Sequence, residues 1–374
     1  MSKPISCHIF CSVIDNFGDI GVSWRLARHL SARPDVSVVL FVDDLISFQR
    51  LAPSLRPTLH TQTLGDLIVH HWTACRDLPT PADIVIEAFA CSLPAHYVAA
   101  MAERKVTPEW INLEYLSAED WIEGCHRLTS VEPQFGLSKT FWFPGFTPKS
   151  GGLLLGPEER FELLSTHSRT TLGRQVTYFG YDQPGISNLL DTLAQDSVPT
   201  LFIVFTGPHE AHIEQWLGAS LKIGADVIVG ALTIRLIQFL SHEAYDRLLA
   251  ESDLNLVRGE DSFVRAQWAG QALLWNIYPQ EAKAHLVKLA AWQKRVLALT
   301  AKTSTPMPES WSTLLIKWNT YEEPIPMEDW AQFLADLPDI RAALQSWRLY
   351  LLTQPDLATQ LMRFYADRVE STPK

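Results

Sequence analysis

Apolar runs alternate with helical patterns along the first part of the chain. Residues 8–14 and 36–42 are apolar and rich in β-forming side chains, and the second run is typical of a strand buried in a parallel sheet. Between them, residues 21–30 repeat apolar positions at helical spacing. Residues 83–89 and 110–116 are predicted as further strands. This rhythm predicts a parallel, doubly wound α/β sheet.

A dense group of turn-forming residues interrupts this rhythm between Pro144 and Pro157. Prolines and glycines at this density mark a connection, so we place a domain boundary within residues 145–172. The rhythm then starts again, with five further predicted strands at residues 176–181, 201–205, 232–239, 254–257 and 273–278. The rest of the chain is mostly helical. Two Rossmann-like domains, residues 1–171 and 172–347, are therefore expected to face a cleft, with ligands at the carboxyl ends of their strands.

The composition supports this organisation and limits the function. With 374 residues, the chain exceeds the length at which single hydrophobic cores usually stop growing, and 47% of it is apolar. Most of the 13 tryptophans are expected in the cores. The formal net charge of −11 disfavours general nucleic-acid binding, which needs clustered lysine and arginine, but it allows a local basic pocket for a diphosphate.

The five cysteines, at positions 7, 11, 75, 91 and 125, are odd in number and include no Cys-x-x-Cys pair. A disulfide framework or a zinc site is therefore not expected, and a reducing cytoplasm fits this usage best. The short apolar run at the start is interpreted as a first strand rather than a signal peptide. No apolar stretch approaches the roughly 20 residues that span a bilayer, so no membrane contact is predicted.

The first candidate site is the loop after the first predicted strand, Asp15-Asn16-Phe17-Gly18-Asp19. A dinucleotide enzyme carries a glycine fingerprint here, whereas in this chain two carboxylates flank Gly18 and would repel a pyrophosphate. One interpretation is helix capping, with Asp15 or Asn16 as the N-cap and Asp19 as an acid of the first turn. The other is a carboxylate pair facing the cleft, one member of which acts as a general base.

The second candidate site is the loop Arg258-Gly259-Glu260-Asp261-Ser262, which follows the strand predicted at 254–257. A helix is predicted over residues 263–269, with Ser262 as its N-cap. The N–H groups of that helix start would bind an anion, and Arg258 would add a forked donor for phosphate oxygens. Glu260 could accept from sugar hydroxyls or hold a cationic acceptor. The alternative is a capped helix with a surface ion pair.

Aromatic residues cluster near the first strand predicted in the second domain, at Tyr178, Phe179 and Tyr181. Alternation places Phe179 and Tyr181 on one face, where they could stack on a nucleobase. Tyr245, on the helix before the second candidate loop, could close the other side of the base. The alternative is that these rings pack in the core.

Several weaker patterns are not expected to carry chemistry. The segment at 209–212 is one residue short of the zinc motif His-Glu-x-x-His, so an ordinary helix surface is expected. Asp43 and Asp44 stand where an NAD enzyme keeps its ribose-binding acid, but the glycine fingerprint is missing. The sequence contains no nucleophile elbow, no Walker A loop and no metal-ligand cluster, so no metal is predicted.

Five longer stretches are more specific than any of these patterns. They are IFCSVIDNFGDIGVSWRLAR at 9–28, NLEYLSAEDW at 112–121, FPGF at 143–146, RGEDSFVR at 258–265 and IYPQ at 277–280. In this order, from about residue 8 to near residue 300, the chain resembles the protein-arginine rhamnosyltransferases that act on bacterial elongation factor P.

The resemblance implies a GT-B architecture, with the donor site in the second domain and a C-terminal helix over 348–374 that packs back on the first. It implies inverting transfer of L-rhamnose from dTDP-β-L-rhamnose to an arginine of elongation factor P. Asp19 matches the proposed general base of the family, and Asp15 and Glu260 match its other essential carboxylates. The matches to donor-binding positions are Phe179, Tyr181, Tyr245, Arg258, Asp261 and Ser262.

Other loop residues complete the set of substrate-binding candidates: Asn16, Phe17, Gly18, Gly259 and His242. His242 marks a departure from the family, because Ser241-His242 stands where the pattern leads us to expect Pro-Gln. This chain therefore lacks the glutamine that would contact the edge of the base, and His242 is the candidate to make that contact instead.

The predicted chemistry follows from the acceptor. A guanidinium group is protonated far above neutral pH and is then not a nucleophile; a carboxylate pair can bind it, orient it and take a proton. We assign Asp19 as the base and Asp15 as its partner, while Arg258 and the N–H groups near Asp261 and Ser262 stabilise the leaving dTDP without a metal. Three alternatives remain: a nicotinamide-dependent oxidoreductase, a non-catalytic nucleotide-sugar-binding adaptor, and a relative that uses another deoxysugar.

Overall fold

The computed structural model describes residues 4–14, 17–73, 78–156, 173–181, 183, 185–320 and 324–371. The chain divides into two compact units: unit 1 is Met1–Glu162 with Gln354–Lys374, and unit 2 is Leu163–Thr353. The boundary predicted between residues 171 and 172 lies outside the described residues. Among the described helices, none combines the length and the apolar content that crossing a bilayer requires.

Unit 1 is built on a sheet of eight described strands in the order β3-β4-β2-β1-β5-β6-β8-β7. The strands are β1 Ile5–Cys11, β2 Val36–Val42, β3 Thr61–Leu64, β4 Leu67–His71, β5 Ile84–Ala88, β6 Glu109–Leu113, β7 Thr129–Val131 and β8 Ser138–Trp142. Neighbours pair in parallel except at the two edges, where β3 and β7 run antiparallel to β4 and β8. The parallel strands predicted from the apolar runs are therefore present.

The helices of the first part of unit 1 are α1 Gly18–Ser31, α2 Leu45–Leu51, α3 Ala95–Ala102 and α4 Ile122–Cys125. Helix α1 presents Ile20, Leu26, Ala27 and Leu30 to the core, which gives the helical spacing seen in the sequence. The β3–β4 hairpin and the β7–β8 pair were not predicted. These strands have only three to five residues each, and strands this short carry little periodic signal.

Unit 2 is built on a second sheet of six described strands in the order β11-β12-β10-β9-β13-β14. The strands are β9 Arg174–Phe179, β10 Thr200–Phe205, β11 Asp226–Val229, β12 Leu232–Ile237, β13 Leu254–Arg258 and β14 Ala272–Asn276. All pairs are parallel except the edge strand β11, which runs antiparallel to β12. Five of the six were predicted. Strand β11 was missed because three of its four residues are exposed at the sheet edge and the fourth is only partly buried.

The helices of unit 2 are α5 Ile186–Gln195, α6 Glu210–Leu217, α7 His242–Glu251, α8 Glu260–Ala269, α9 Ala284–Thr300, α10 Glu309–Thr320, α11 Met327–Ala335 and α12 Leu337–Leu352, with a 3₁₀ turn at Glu281–Lys283. Buried tryptophans join several of them. The Oε1 atom of Gln267 accepts hydrogen bonds from Trp292 (3.0 Å) and Trp347 (2.8 Å), so α8, α9 and α12 share one polar anchor. Most tryptophans are in the core, as predicted.

The last helix, α13 Leu357–Ser371, belongs to unit 1. The side chain of Arg33 donates to Thr359 (2.9 Å), and the amide of Gln354 donates to the carbonyl of Phe146 (2.9 Å). Gly152 has a φ of +76°, and a Cβ there would lie 2.5 Å from Nε2 of Gln360. A side chain at position 152 would therefore push α13 away from the unit.

The order of strands reverses once in each sheet. In unit 1 the reversal lies between β1 and β5, and in unit 2 between β9 and β13. In open α/β sheets, ligands bind at the carboxyl ends of the strands at this switch point. The loops after β1 and β13, which the sequence singles out, both leave the sheets at these positions.

Acid is expected to destabilise unit 1 through His8, which lies buried on β1 with Nδ1 2.6 Å from the hydroxyl of Tyr97. Burial lowers the pKa of His8 from 6.5 to about 4, so between these values the unfolded chain binds a proton that the folded chain does not. The stability that the buried, neutral His8 contributes is fully present above the unfolded pKa and is lost as the pH falls towards 4. Over this range the free energy of unfolding should fall by up to about 1.4 kcal/mol per pH unit. Chemical denaturation across this range measures the slope. His8→Gln should flatten it, and equal slopes in both proteins would contradict the assignment.

Candidate active site

The loop after β1 is held by two carboxylates. The backbone N–H of Val13 donates to Oδ1 of Asp43 (2.8 Å), and that of Ile14 donates to Oδ2 of Asp19 (2.9 Å). Backbone donors that would cradle a pyrophosphate in a dinucleotide enzyme are thus engaged by the protein's own acids. Asp44 caps α2 by accepting from the N–H groups of Ile46 and Ser47. The pair Asp43-Asp44 therefore has a structural role, as the missing glycine fingerprint indicated.

Helix α1 begins at Gly18, with Phe17 at its N-cap position and no side-chain cap. The N-cap expected at Asp15 or Asn16 is therefore wrong by one or two residues; Asp15 and Asn16 themselves lie outside the described residues. Asp19 is an acid of the first turn, as one interpretation held. Its side chain is only 1% exposed, because it faces the loop that it anchors.

In unit 2, Arg258 ends β13 beside the end of β9. Its guanidinium carbon lies 4.5 Å from the ring centre of Phe179 and 4.8 Å from that of Tyr181. The two rings that alternation placed on one face do contact the same group. A guanidinium held on aromatic faces keeps its N–H donors in a fixed plane, which suits phosphate oxygens.

A cluster of aromatic rings surrounds Phe179. Its ring centre lies 5.5 Å from that of Phe205, 5.7 Å from that of Phe239 and 6.3 Å from that of Tyr245, each edge to face. Phe205 ends β10 and Phe239 follows β12, so the carboxyl edge of the sheet brings four rings together. Phe205 and Phe239 were missed in the sequence, because a single aromatic residue at a strand end carries no pattern of its own.

Two further residues belong to this neighbourhood. Tyr278, just beyond β14, is 60% exposed and packs edge to face on Tyr181 at 5.3 Å. It lies in the motif at 277–280, which was the available signal. His209 is buried and packs edge to face on Tyr178 (5.0 Å) and Phe179 (6.4 Å). The prediction that His209 lies on an ordinary helix surface is therefore wrong. The residue comes directly before α6, and its ring packs against the aromatic cluster.

Helix α8 begins at Glu260, with Gly259 at the N-cap position. The prediction that Ser262 caps this helix is wrong, since Ser262 is the third helical residue. The reason is the backbone of Gly259, whose φ of +65° and ψ of −179° turn the chain into the helix directly after Arg258. Glu260, Asp261 and Ser262 thus form the first turn, where N–H groups lack intrahelical acceptors.

Helix α7, which carries Tyr245, is fixed to α8 by an ion pair. The guanidinium of Arg265 donates to both carboxylate oxygens of Asp246, at 3.0 and 2.9 Å. Ser241 caps α7 by accepting from the N–H of Ala244 (3.3 Å). His242, the residue that departs from the expected glutamine, is the first residue of the helix and is buried.

Replacement of Gly259 by alanine should lower stability and weaken binding of a nucleoside diphosphate at the first turn of α8. The φ,ψ pair of Gly259 lies in a region that only glycine occupies readily, so strain of roughly 1–3 kcal/mol is expected, although no atom lies within 4 Å of the added Cβ. Thermal unfolding and titration with a nucleoside diphosphate measure the two effects. The control is Gly218→Ala, at a left-handed glycine with equally open space after α6. The control should lose stability alone; equal loss of nucleoside diphosphate binding in both variants would contradict the role of Gly259 in shaping this turn.

The described residues contain no group of three or more histidine, cysteine, aspartate or glutamate side chains that could hold a metal ion. The two switch points carry different groups. The one in unit 1 has carboxylates, and the one in unit 2 has an arginine, aromatic rings and a helix N-terminus. Such features suit a cationic group at the first site and a nucleoside diphosphate at the second.

Two α/β units with loops at the switch points of their sheets are the architecture of the GT-B glycosyltransferases. The chain has the fold of MurG from Acinetobacter baumannii, with a TM-score of 0.52 over 98% of this chain and all of that one, at 14% identity.

The chain belongs to the EarP family of elongation factor P (EF-P) rhamnosyltransferases, whose sequence pattern matches residues 7–366. It is 42% identical to the protein-arginine rhamnosyltransferases of Pseudomonas putida and Pseudomonas aeruginosa. These alignments cover 96% and 97% of this chain and 97% and 99% of those proteins. It is also similar to a solved structure described as the structural basis for EarP-mediated arginine glycosylation of EF-P, with 29% identity and a TM-score of 0.65. That match covers 97% of this chain and 99% of the other.

The family and the GT-B architecture are thus as predicted, and the nicotinamide-dependent alternative has no support. The matches extend over nearly the whole chain, beyond the five stretches that carried the resemblance.

Proposed function

We propose that this protein transfers L-rhamnose from dTDP-β-L-rhamnose to an arginine side chain of elongation factor P, with inversion at the anomeric carbon. The observation that carries the proposal is the placement of two complementary loops at the switch points of an EarP-family fold. One is held by the carboxylate of Asp19, and the other carries Arg258 among aromatic rings. The protein-arginine rhamnosyltransferases with 42% identity support the choice of sugar and acceptor.

The donor is proposed to bind in unit 2. Phe179, Tyr181 and Tyr245 supply aromatic surface for the thymine ring, and His242 takes the place of a glutamine at the edge of the base. The diphosphate is proposed to contact Arg258 and the N–H groups of the first turn of α8, at Asp261 and Ser262. Gly259 permits this turn, and Glu260 is proposed to orient the sugar or the acceptor.

The acceptor is proposed to bind at the loop of unit 1. A guanidinium nitrogen attacks the anomeric carbon, the bond from that carbon to the dTDP oxygen breaks, and Asp19 takes the proton from the attacking nitrogen. The N–H of Ile14 donates to Oδ2 of Asp19 and so helps to hold this carboxylate in the loop. Asp15, with Asn16, Phe17 and Gly18, is proposed to complete the acceptor site; for Asp15 and Asn16 this rests on the resemblance alone.

The departing dTDP gains negative charge as the bond breaks. Arg258 and the helix N–H groups are preorganised donors for that charge, which is why we propose transfer without a metal ion or another cofactor. Because the acceptor is a translation factor, we propose that the enzyme works in the cytoplasm. The net charge of −11 supports a protein acceptor rather than nucleic acid.

Release of dTDP, measured with and without elongation factor P in the presence of a chelator, tests this function. We expect release that depends on the acceptor. Binding of dTDP-rhamnose without release would instead favour a nucleotide-sugar-binding adaptor. Faster release from a dTDP-linked sugar other than rhamnose would overturn the choice of donor, and loss of activity with the chelator would overturn the metal-free mechanism.

A further inference from the structure

A partly buried polar cluster that the proposed reaction does not use lies in unit 1, at the carboxyl ends of β5 and β6. Glu87 is the next-to-last residue of β5 and pairs in register with Asn112 of β6. Glu114 follows the last residue of β6, and Lys139 lies on the neighbouring strand β8. Polar side chains buried at the ligand-binding edge of a sheet need a reason beyond packing.

The positive charge of this cluster is already engaged. The ammonium group of Lys139 lies 2.6 Å from Oε2 of Glu87 and 4.3 Å from the ring centre of Trp110. Glu114 is bound instead by a neutral group, since the amide of Asn112 donates to its Oε1. Two carboxylates therefore face one ammonium group, and the cluster is short of one positive charge.

The cluster also has an unused acceptor. Asn112 is 3% exposed, and within the described part of the chain its Oδ1 is buried without a hydrogen-bond partner. Burial raises the pKa of Glu114, and the nearby Glu87 raises it further, against the hydrogen bond from Asn112. An orphaned amide oxygen beside an uncompensated carboxylate is an arrangement that a cationic hydrogen-bond donor would complete.

An aromatic ring lies beside these acceptors. Phe89 and Ala90, directly after β5, both have a φ of +56°, a left-handed conformation that is costly for residues other than glycine. This turn stacks Phe89 on the ring of Tyr115, with centres 4.6 Å apart. Tyr115 follows Glu114 in the chain and is 40% exposed. Backbone strain of this kind concentrates at binding sites, and guanidinium groups stack on aromatic faces.

We propose that Glu114 and Oδ1 of Asn112 bind the guanidinium group of the acceptor arginine. A guanidinium has five N–H donors in one plane and a permanent positive charge, which matches the two acceptors and the missing charge. Because β1, β5 and β6 are adjacent and parallel, Glu114 lies two strand spacings, about 10 Å, from the end of β1, which leads to Asp19. Besides this contact, Asn112 positions Glu114 through the hydrogen bond from its amide to Oε1. The inference rests on the proposed function for the identity of the acceptor.

The first test is binding, which does not require turnover. N-acetylarginine amide is titrated against the protein by calorimetry, beside N-acetylcitrulline amide, which has a similar shape but no charge. We expect the wild type to bind the arginine compound more tightly than the citrulline compound. In Glu114→Gln, the ratio of the two affinities should be about tenfold smaller. The matched control is Glu109→Gln, a partly buried carboxylate at the opposite end of β6 that lies 3.4 Å from Arg368 and should keep the preference. No preference in the wild type, or an unchanged one in Glu114→Gln, would overturn the proposal.

The second test separates binding of the acceptor from structure. In the transfer reaction, Glu114→Gln should raise the KM for elongation factor P about tenfold and leave the KM for dTDP-rhamnose unchanged. Its melting temperature should not fall, because the substitution removes an uncompensated charge. A lower melting temperature with an unchanged acceptor KM would assign Glu114 a structural role and overturn the proposal while the proposed function stands. If the wild type transfers no rhamnose, the proposed function fails, and the amide titration still decides the role of Glu114.

Discussion

Asp19→Asn is expected to lose turnover by roughly a hundredfold to ten-thousandfold while it keeps its affinity for the donor. Asparagine retains an oxygen for the N–H of Ile14, so the anchor of the loop after β1 survives. It cannot take a proton from the attacking nitrogen. Initial rates with elongation factor P, together with titration of dTDP-rhamnose, measure the two properties separately.

The control for this substitution is Asp44→Asn. Asp44 also follows a strand at the carboxyl edge of unit 1, and its carboxylate also accepts backbone N–H groups, those of Ile46 and Ser47. Asparagine is an equally good N-cap, so this variant should keep both its rate and its stability. If Asp19→Asn loses turnover and donor binding equally, or keeps nearly the full rate, Asp19 is not the base.

Arg258→Lys is expected to weaken binding of dTDP by roughly tenfold to a hundredfold. Lysine keeps the charge, but it lacks the planar fork that lies against Phe179 and Tyr181 in this structure. Because the diphosphate gains charge when the sugar departs, kcat should fall as well. Titration with dTDP and initial rates at saturating donor give the two effects.

The control for Arg258 is Arg235→Lys, on β12 of the same unit. Arg235 binds Asp226 through two hydrogen bonds of 2.6 and 2.7 Å on the surface of the sheet edge. Loss of an exposed pair of this kind changes stability by about 0.2–1 kcal/mol at most, and dTDP binding should not change. Equal affinity for dTDP in Arg258→Lys and in the wild type would remove Arg258 from the donor site.

The central strands could be predicted from the sequence because burial on both faces makes most of their positions apolar. The run at 36–42 is the clearest case, since its apolar, β-branched side chains give the bounds of β2 directly. The edge strands β3, β7 and β11 are short and keep contact with solvent. Their patterns of apolar and polar residues therefore cannot be distinguished from those of loops. Prediction thus succeeds where packing dictates composition.

The candidate sites were predictable in position but not in detail. A loop after a central strand lies at the ligand-binding edge in any doubly wound sheet, which locates Asp19 and Arg258. The start of α8 was missed because it depends on the φ and ψ of Gly259, and glycine permits too many conformations for its identity to fix one. Backbone geometry therefore places the N-cap at Gly259 and not at Ser262, the residue that composition favoured.

Contacts between distant residues were beyond the reach of the sequence. Phe205 and Phe239 join Phe179 only because β10 and β12 end at the same edge of the sheet. The same holds for Glu87 and Lys139, whose ion pair depends on the order β5-β6-β8 and on the register between these strands. Strand order emerges from long-range packing, for which a single sequence carries no periodic signal.

The most direct test of the central claim is the intact mass of elongation factor P after incubation with this protein and dTDP-β-L-rhamnose. We predict a gain of one deoxyhexose, located by fragmentation on a single arginine. An unchanged mass, under conditions in which dTDP-rhamnose is seen to bind, would contradict the claim that this chain is an arginine rhamnosyltransferase.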